Sequence, residues 1–173
     1  MSEVTGSIRT AADMEAFGER LASQLRAGDV LVLTGPLGAG KTTLVRGLGA
    51  ALGVRGTVAS PTFVIARTHP SVSGGPALIH VDAYRLGSAL ELDDLDLDFE
   101  ASVTVIEWGS EFVSAIADSW LEIVIGRPRA GDAAGAGAGA EAHEDEADEP
   151  RRVLLRGTGQ RWADAPLDAI LTP

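Results

Sequence analysis

The chain has 173 residues, a size at which one domain buries a real core without disulfide or metal staples. Its composition, 45% hydrophobic and 23% charged, is that of a globular protein rather than a disordered one. A formal charge of −11 argues against gripping nucleic acid phosphates or docking on an anionic membrane, and the absence of cysteine excludes disulfides, thiolate metal sites and cysteine nucleophiles.

In chain order, Ala12, Phe17, Leu21 and Leu25 recur at helical spacing and predict a helix from Thr10 to Leu25. Gly28 and Asp29 then mark a turn. Val30 to Leu33 is an unbroken apolar run, the pattern of a strand buried on both faces. Lys41 to Leu52 reads as a helix stopped by Gly53. Two strands, Phe63 to Thr68 and Ala77 to Val81, flank a loop rich in Pro, Ser and Gly and predict a hairpin. Ala89 to Glu100 predicts a helix and a turn, Val103 to Ile106 a strand, Glu111 to Ala117 a helix, and Leu121 to Ile125 and Val153 to Leu155 two more strands.

The segment at 130–150 carries seven acids and no base, so the rest of the chain holds 18 acids against 14 bases, a net of −4. Its Ala/Gly-rich, acidic composition buries too little apolar surface to offset ordering, and predicts a disordered loop inside a β-hairpin. An acidic docking arm is the alternative. The N-terminus has no basic start followed by an apolar core, and no apolar run approaches the roughly 20 residues that span a bilayer. A soluble, cytoplasmic, single-domain protein with no membrane partner is expected.

Gly35 to Thr42, GPLGAGKT, fits GxxxxGK[ST] at every fixed position. Gly35, Gly38 and Gly40 let the backbone turn tightly and aim successive N–H groups inward as an anion nest. The helix that follows adds its positive end. Lys41 brings an ammonium to the outer phosphates, and Thr42 a hydroxyl to Mg²⁺. Lys41 is the only lysine; the other 13 bases are arginines. Lysine therefore stands where a compact point charge suits phosphate. The Asn-Lys-x-Asp signature of guanine-specific GTPases needs a second lysine, so ATP is the expected nucleotide.

Phosphoryl chemistry also needs a carboxylate at the end of a neighbouring strand. Asp82 ends LIHVD and Glu107 ends VTVIE, so both acids are expected beyond the carboxyl ends of strands, where ligands bind in open α/β sheets. Capping of the next element is the alternative for either. Ser60, Pro61 and Thr62 fit an ordinary turn or a switch segment near the γ-phosphate. Trp108 fits core packing or stacking on a ligand or partner. Arg85 fits a phosphate contact or a surface ion pair. His69, His80 and His143 share no ligand spacing, so no zinc site is expected.

Taken in order, GPLGAGKTTLVRGL, SPTF at Ser60 to Phe63, HVDAYRL at His80 to Leu86 and IEW at Ile106 to Trp108 resemble the TsaE family, formerly called YjeE. The resemblance runs from about Thr10 to Trp108, with a looser match to the C-terminal hairpin. It implies a P-loop NTPase-like three-layer α/β fold with a central mixed sheet, and Mg²⁺-dependent ATP binding and hydrolysis in bacterial tRNA threonylcarbamoyladenosine synthesis. By the family pattern, Leu37, Gly38, Ala39, Gly40, Lys41, Thr42 and Thr43 wrap the phosphates and Thr10 lies by the nucleotide. Thr42 and Glu107 hold the metal, and Asp82 supports catalysis with Lys41. Tyr84, Arg85 and Trp108 support the site, and Ser60 to Thr62 act as a switch loop. The implied partners are TsaD and TsaB, with tRNA engaged only through the complex. Pro36 departs from the family pattern, where many relatives carry an acid, and stiffens the loop; the 130–150 segment looks like a lineage-specific insertion.

Two other functions use the same phosphate loop. A small-molecule or nucleoside kinase needs an acceptor pocket and an Arg-bearing lid, which the acidic insertion does not resemble. A nucleotide-dependent binding module needs no turnover.

Overall fold

A computed structural model describes residues 2–127 and 149–172. Apart from Glu149 and Pro150, the predicted disordered insertion at 130–150 lies outside the described residues. Seven strands form one mixed sheet: β1 (Ser2–Ile8), β2 (Val30–Thr34), β3 (Ala66–His69), β4 (Ala77–Asp82), β5 (Ser102–Glu107), β6 (Trp120–Gly126) and β7 (Arg151–Thr158). Their order is β1-β7-β6-β2-β5-β4-β3. β2 runs parallel to β5 and β6, and β4 parallel to β5; β7 is antiparallel to β6 and β1, and β3 to β4. The parallel strands therefore end at one edge of the sheet.

Both faces of the central strands are covered, which is why β2 has no polar alternation from Val30 to Leu33. On one face Leu31, Leu33, Val105 and Ile123 pack under Phe17 and Leu21 of α1 (Ala11–Ala22) and Leu44 and Leu48 of α2 (Lys41–Ala51). On the other, Val32, Val81 and Ile106 pack under Leu86, Leu92 and Val113, supplied by the connections after β4 and β5, including α3 (Ala89–Asp93). Thr10 caps α1. Its hydroxyl accepts from Asp13 N and its own N–H donates to the Asp13 carboxylate, each at 3.1 Å.

The two helices cross on glycine. A Cβ at Gly47 would meet Glu15 O at 2.1 Å, and one at Gly18 would meet Leu44 O at 2.3 Å. In both cases the obstacle is backbone and cannot rotate away. Gly47→Ala is therefore expected to lower stability by about 2 kcal/mol despite alanine's better helix propensity. Urea unfolding checks this, and an unchanged midpoint would mean that the crossing opens freely.

His69, at the end of β3, is buried, and its Nε2 has no hydrogen-bond partner among the described residues. Burial lowers its pKa below the usual 6.5, against a hydrogen bond to the Arg55 backbone. The folded chain thus holds His69 neutral at pH values where the unfolded chain protonates it. Its contribution to stability is present above pH 6.5 and is lost as pH falls toward the lowered value. Between pH 7 and pH 5 the urea midpoint should fall less in His69→Gln than in the wild type.

Three expectations are corrected, and two elements add to them. The strand expected from Phe63 begins only at Ala66, because Pro61 O accepts from both Val64 N and Ile65 N at 2.9 Å and closes a turn. Ile65 leaves that turn with a left-handed φ of 67°. The helix expected over Glu111 to Ala117 shrinks to a 3₁₀ turn at Val113–Ala115, started by Gly109 O accepting from Phe112 N and Val113 N. The last strand is longer than Val153 to Leu155, running Arg151–Thr158 between two partners. β1 and the short α4 (Leu167–Leu171) were not expected at all. Among the described residues no helix is long and apolar enough to cross a membrane.

Candidate functional site

Gly35 follows β2 directly. A Cβ there would meet Ile125 O of the adjacent β6 at 2.4 Å, so only glycine lets the chain leave the sheet at this point. Gly38 and Gly40 have φ of 77° and 108°, values that favour glycine. Gly40 is the N-cap of α2 and brings no capping side chain. The amides of the first turn, from Lys41 onward, thus remain available to an anion, and the positive end of the helix backs them.

Lys41 leaves that turn buried, with 7% exposure. Its Nζ donates to Gly35 O at 2.8 Å and Pro36 O at 3.3 Å, and lies 3.8 Å from Glu107 Oε2. Burial lowers its pKa, and the charges of Glu107 and Asp82 oppose that shift. The ammonium also faces the Trp108 ring, 4.8 Å from its centroid.

Both acids stand where β4 and β5 end. Asp82 pairs in register with Glu107, and Glu107 with Leu33 of β2. Both are buried, at 7% and 5% exposure. Asp82 accepts from Tyr84 N at 3.1 Å, and Glu107 meets His80 Nε2 at 2.8 Å. So Asp82 also caps the turn that follows β4, as the alternative reading of a strand-end acid has it.

Trp108 is not a core residue. Continued alternation would turn it to the opposite face of β5, but its φ of 62° turns it aside. Its N–H meanwhile bonds to Leu33 O at 3.0 Å. A left-handed aromatic residue costs of order 1–3 kcal/mol and marks an over-determined site. Tyr84 meets Trp108 edge-on at 6.0 Å.

A cavity of 640 Å³ collects these groups: Leu37 to Thr43 on one side, Ser60 and Thr62 on another, and Asp82, Tyr84, Glu107 and Trp108 across from them. Pro61 is buried behind the turn that carries Ser60 and Thr62. Arg85 does not line the cavity; its guanidinium lies over the Phe63 ring at 5.7 Å. A second cavity of 320 Å³ adjoins the same loop at Gly38 to Gly40 and Thr43. Thr10 lies there, together with Arg9, Met14, Arg127, Glu149 and Arg151, which the sequence did not single out. No local motif joins these residues, because β1, β6 and β7 bring their ends to one edge only by long-range pairing.

The oxygen donors suit a hard cation held together with a nucleotide. Among the described residues no cluster of three or more His, Cys, Asp or Glu is arranged to hold a metal by itself. The Thr42 hydroxyl and the two carboxylates facing a phosphate nest match Mg²⁺, which takes one or two carboxylates plus phosphate oxygens and water.

The family described as threonylcarbamoyl adenosine biosynthesis protein TsaE matches residues 8–132. The chain belongs to the TsaE family. A TsaE protein from Streptomyces coelicolor is 51% identical over 160 residues, covering 91% of this chain and 99% of that one. One from Mycobacterium leprae is 48% identical, covering 69% and 80%, and one from Bacillus subtilis 37%, covering 69% and 74%. A crystal structure of Bacillus subtilis YdiB superposes with a TM-score of 0.67 at 25% identity, covering 98% of this chain and 94% of that one. The TsaE assignment and the P-loop NTPase-like α/β fold expected from the sequence both hold, with a mixed seven-stranded sheet at the centre. The TsaE family is one of threonylcarbamoyladenosine biosynthesis, and its P-loop fold implies nucleotide binding.

Proposed function

We propose that this TsaE-family chain binds ATP with Mg²⁺ and hydrolyses it as a switch acting on protein partners in tRNA threonylcarbamoyladenosine formation. The observation that carries this reading is the convergence of a phosphate nest, one buried ammonium and two in-register carboxylates on one cavity.

In this reading the amides from Leu37 to Thr43 receive the phosphate oxygens, and Lys41 turns from the Gly35 carbonyl to the outer phosphates. Thr42 and Glu107 are the residues to hold Mg²⁺, which supplies charge neutralisation across the outer phosphates. Asp82 orients the water that attacks the γ-phosphorus. The P–O bond to the β-phosphate then breaks, giving ADP and inorganic phosphate. Ser60 to Thr62, beside the same cavity and tethered to β4 through Ile65 O and Asp82 N at 2.7 Å, are placed to respond to the γ-phosphate. Tyr84 and Trp108 wall the site, and Arg85 steadies the turn through Phe63. Thr10 shapes the nucleoside side through its cap. Among the described residues no arginine lines the main cavity, so turnover alone should be slow, and a partner completes the site. TsaD and TsaB are the partners of this reading, with tRNA reached through them and the complex cytoplasmic.

The test is labelled ATP incubated with the chain alone and with TsaD and TsaB. Slow phosphate release accelerated by the pair is the expected result. Label on a small metabolite would make the chain a kinase, and tight binding without release in every mixture would make it a binding module.

A further inference from the structure

A buried imidazole is costly unless its nitrogens are paired. His80 lies in β4 with 0% exposure, on the face where Leu78 is also buried and where an aliphatic side chain would fit. Its Nδ1 has no partner among the described residues. Its Nε2 meets Glu107 Oε1 at 2.8 Å. A carboxylate only accepts, so Nε2–H is the donor. Among the described residues the single hydrogen-bond partner of this costly side chain is thus an acid at the mouth of the cavity.

We propose that His80 is a positioning residue for Glu107, holding one carboxylate oxygen so that the other faces the nucleotide cavity. The inference rests on reading that cavity as the ATP site. Glu107 Oε2 stands 3.8 Å from Lys41 Nζ, too far for a hydrogen bond, while Lys41 is engaged by Gly35 O at 2.8 Å. A Glu107 free at both oxygens would swing onto the ammonium, because a contact between two opposite full charges is stronger than the ammonium–carbonyl contact it would replace. Carboxylate and ammonium would then occupy each other instead of metal and phosphate. His80 blocks that collapse from within the sheet. Asp82 is restrained in a similar way, its Oδ1 accepting from Tyr84 N at 3.1 Å.

Two isosteres test this. Glutamine places its side-chain nitrogen near the Nε2 position of histidine; asparagine is too short and reaches only the Nδ1 position. His80→Gln should hydrolyse ATP within about threefold of wild type. His80→Asn should lose 10- to 100-fold in kcat, about the cost of removing a group that orients a ligating side chain, with little change in KM. Its Mg²⁺ requirement should also rise, with Tm values of the two variants close together. A nucleotide-free measurement reads the contact itself: the His80 Nε2–H proton should exchange slowly and its NMR signal should shift in Glu107→Gln. Equal losses in the two variants, losses that track Tm, or an unmoved Nε2–H signal would overturn the proposal. A wild-type chain that releases no phosphate under any condition would instead overturn the functional reading, and the NMR measurement would still decide the contact.

Discussion

Lys41→Ala is expected to weaken ATP and ADP binding by at least about a hundredfold and to abolish phosphate release. Hydrogen bonds to charged groups contribute about 1.5–3 kcal/mol each, and every 1.4 kcal/mol is a factor of ten. The loop amides remain in the variant, but the only mobile cation facing the cavity among the described residues is gone, and the charges of Glu107 and Asp82 lose their counterweight. An incoming triphosphate would then meet uncompensated acids. Lys41→Arg should fail nearly as badly. The ammonium fits between Gly35 O and Pro36 O with 7% exposure, and a planar fork does not fit that space. Because Lys41 is the only lysine, an amine-reactive reagent reads this side chain without competition from another. Labelling of the Lys41 peptide should be slow with ADP bound and faster without it. Equal labelling in both states would mean that nucleotide does not reach the ammonium.

How much of this was legible follows from the range of the interactions involved. The phosphate loop is local: three glycines, a lysine and a threonine within eight positions specify their own backbone, and the structure has them in that conformation. The meeting of Asp82 and Glu107 was legible because two apolar runs of similar length, each closed by an acid, form parallel neighbours. Trp108 was legible through the IEW motif and as the stacking alternative, but not from its residue type. Residue type points to the core, and only a left-handed backbone at that residue turns the indole onto Lys41. The second cavity was not legible, since Arg9, Arg127 and Arg151 are brought together by pairings across most of the chain length. His80 was weighed in the sequence only as a zinc ligand, and its contact with Glu107 was not legible there. Its spacing to His69 and His143 says nothing, while Glu107, one strand away, is the group it touches.

Glu107→Gln should separate binding from turnover. The amide oxygen can take the place of the carboxylate oxygen that accepts from His80, so the buried imidazole keeps its partner and the fold should persist. Glu107→Ala, by contrast, leaves His80 Nε2 unpaired in the interior, which costs about 1–3 kcal/mol of stability in addition to any catalytic loss. In Glu107→Gln the phosphate nest and Lys41 are intact, so nucleotide affinity without Mg²⁺ should stay within a few-fold of wild type. What disappears is the negative charge at the end of β5. The gain in affinity that Mg²⁺ confers should shrink, and hydrolysis should fall by about a hundredfold or more, the scale on which a misplaced electrostatic contact acts in phosphoryl transfer. Asp82→Asn should differ in kind, lowering hydrolysis while retaining most of the Mg²⁺ gain, because Asp82 is assigned to the water rather than the metal. Phosphate release and fluorescent-ADP titrations with and without Mg²⁺, run on both variants, give a two-by-two comparison. Unchanged turnover in Glu107→Gln would remove that acid from the mechanism, and an exchanged pattern between the two variants would make Asp82 the metal ligand.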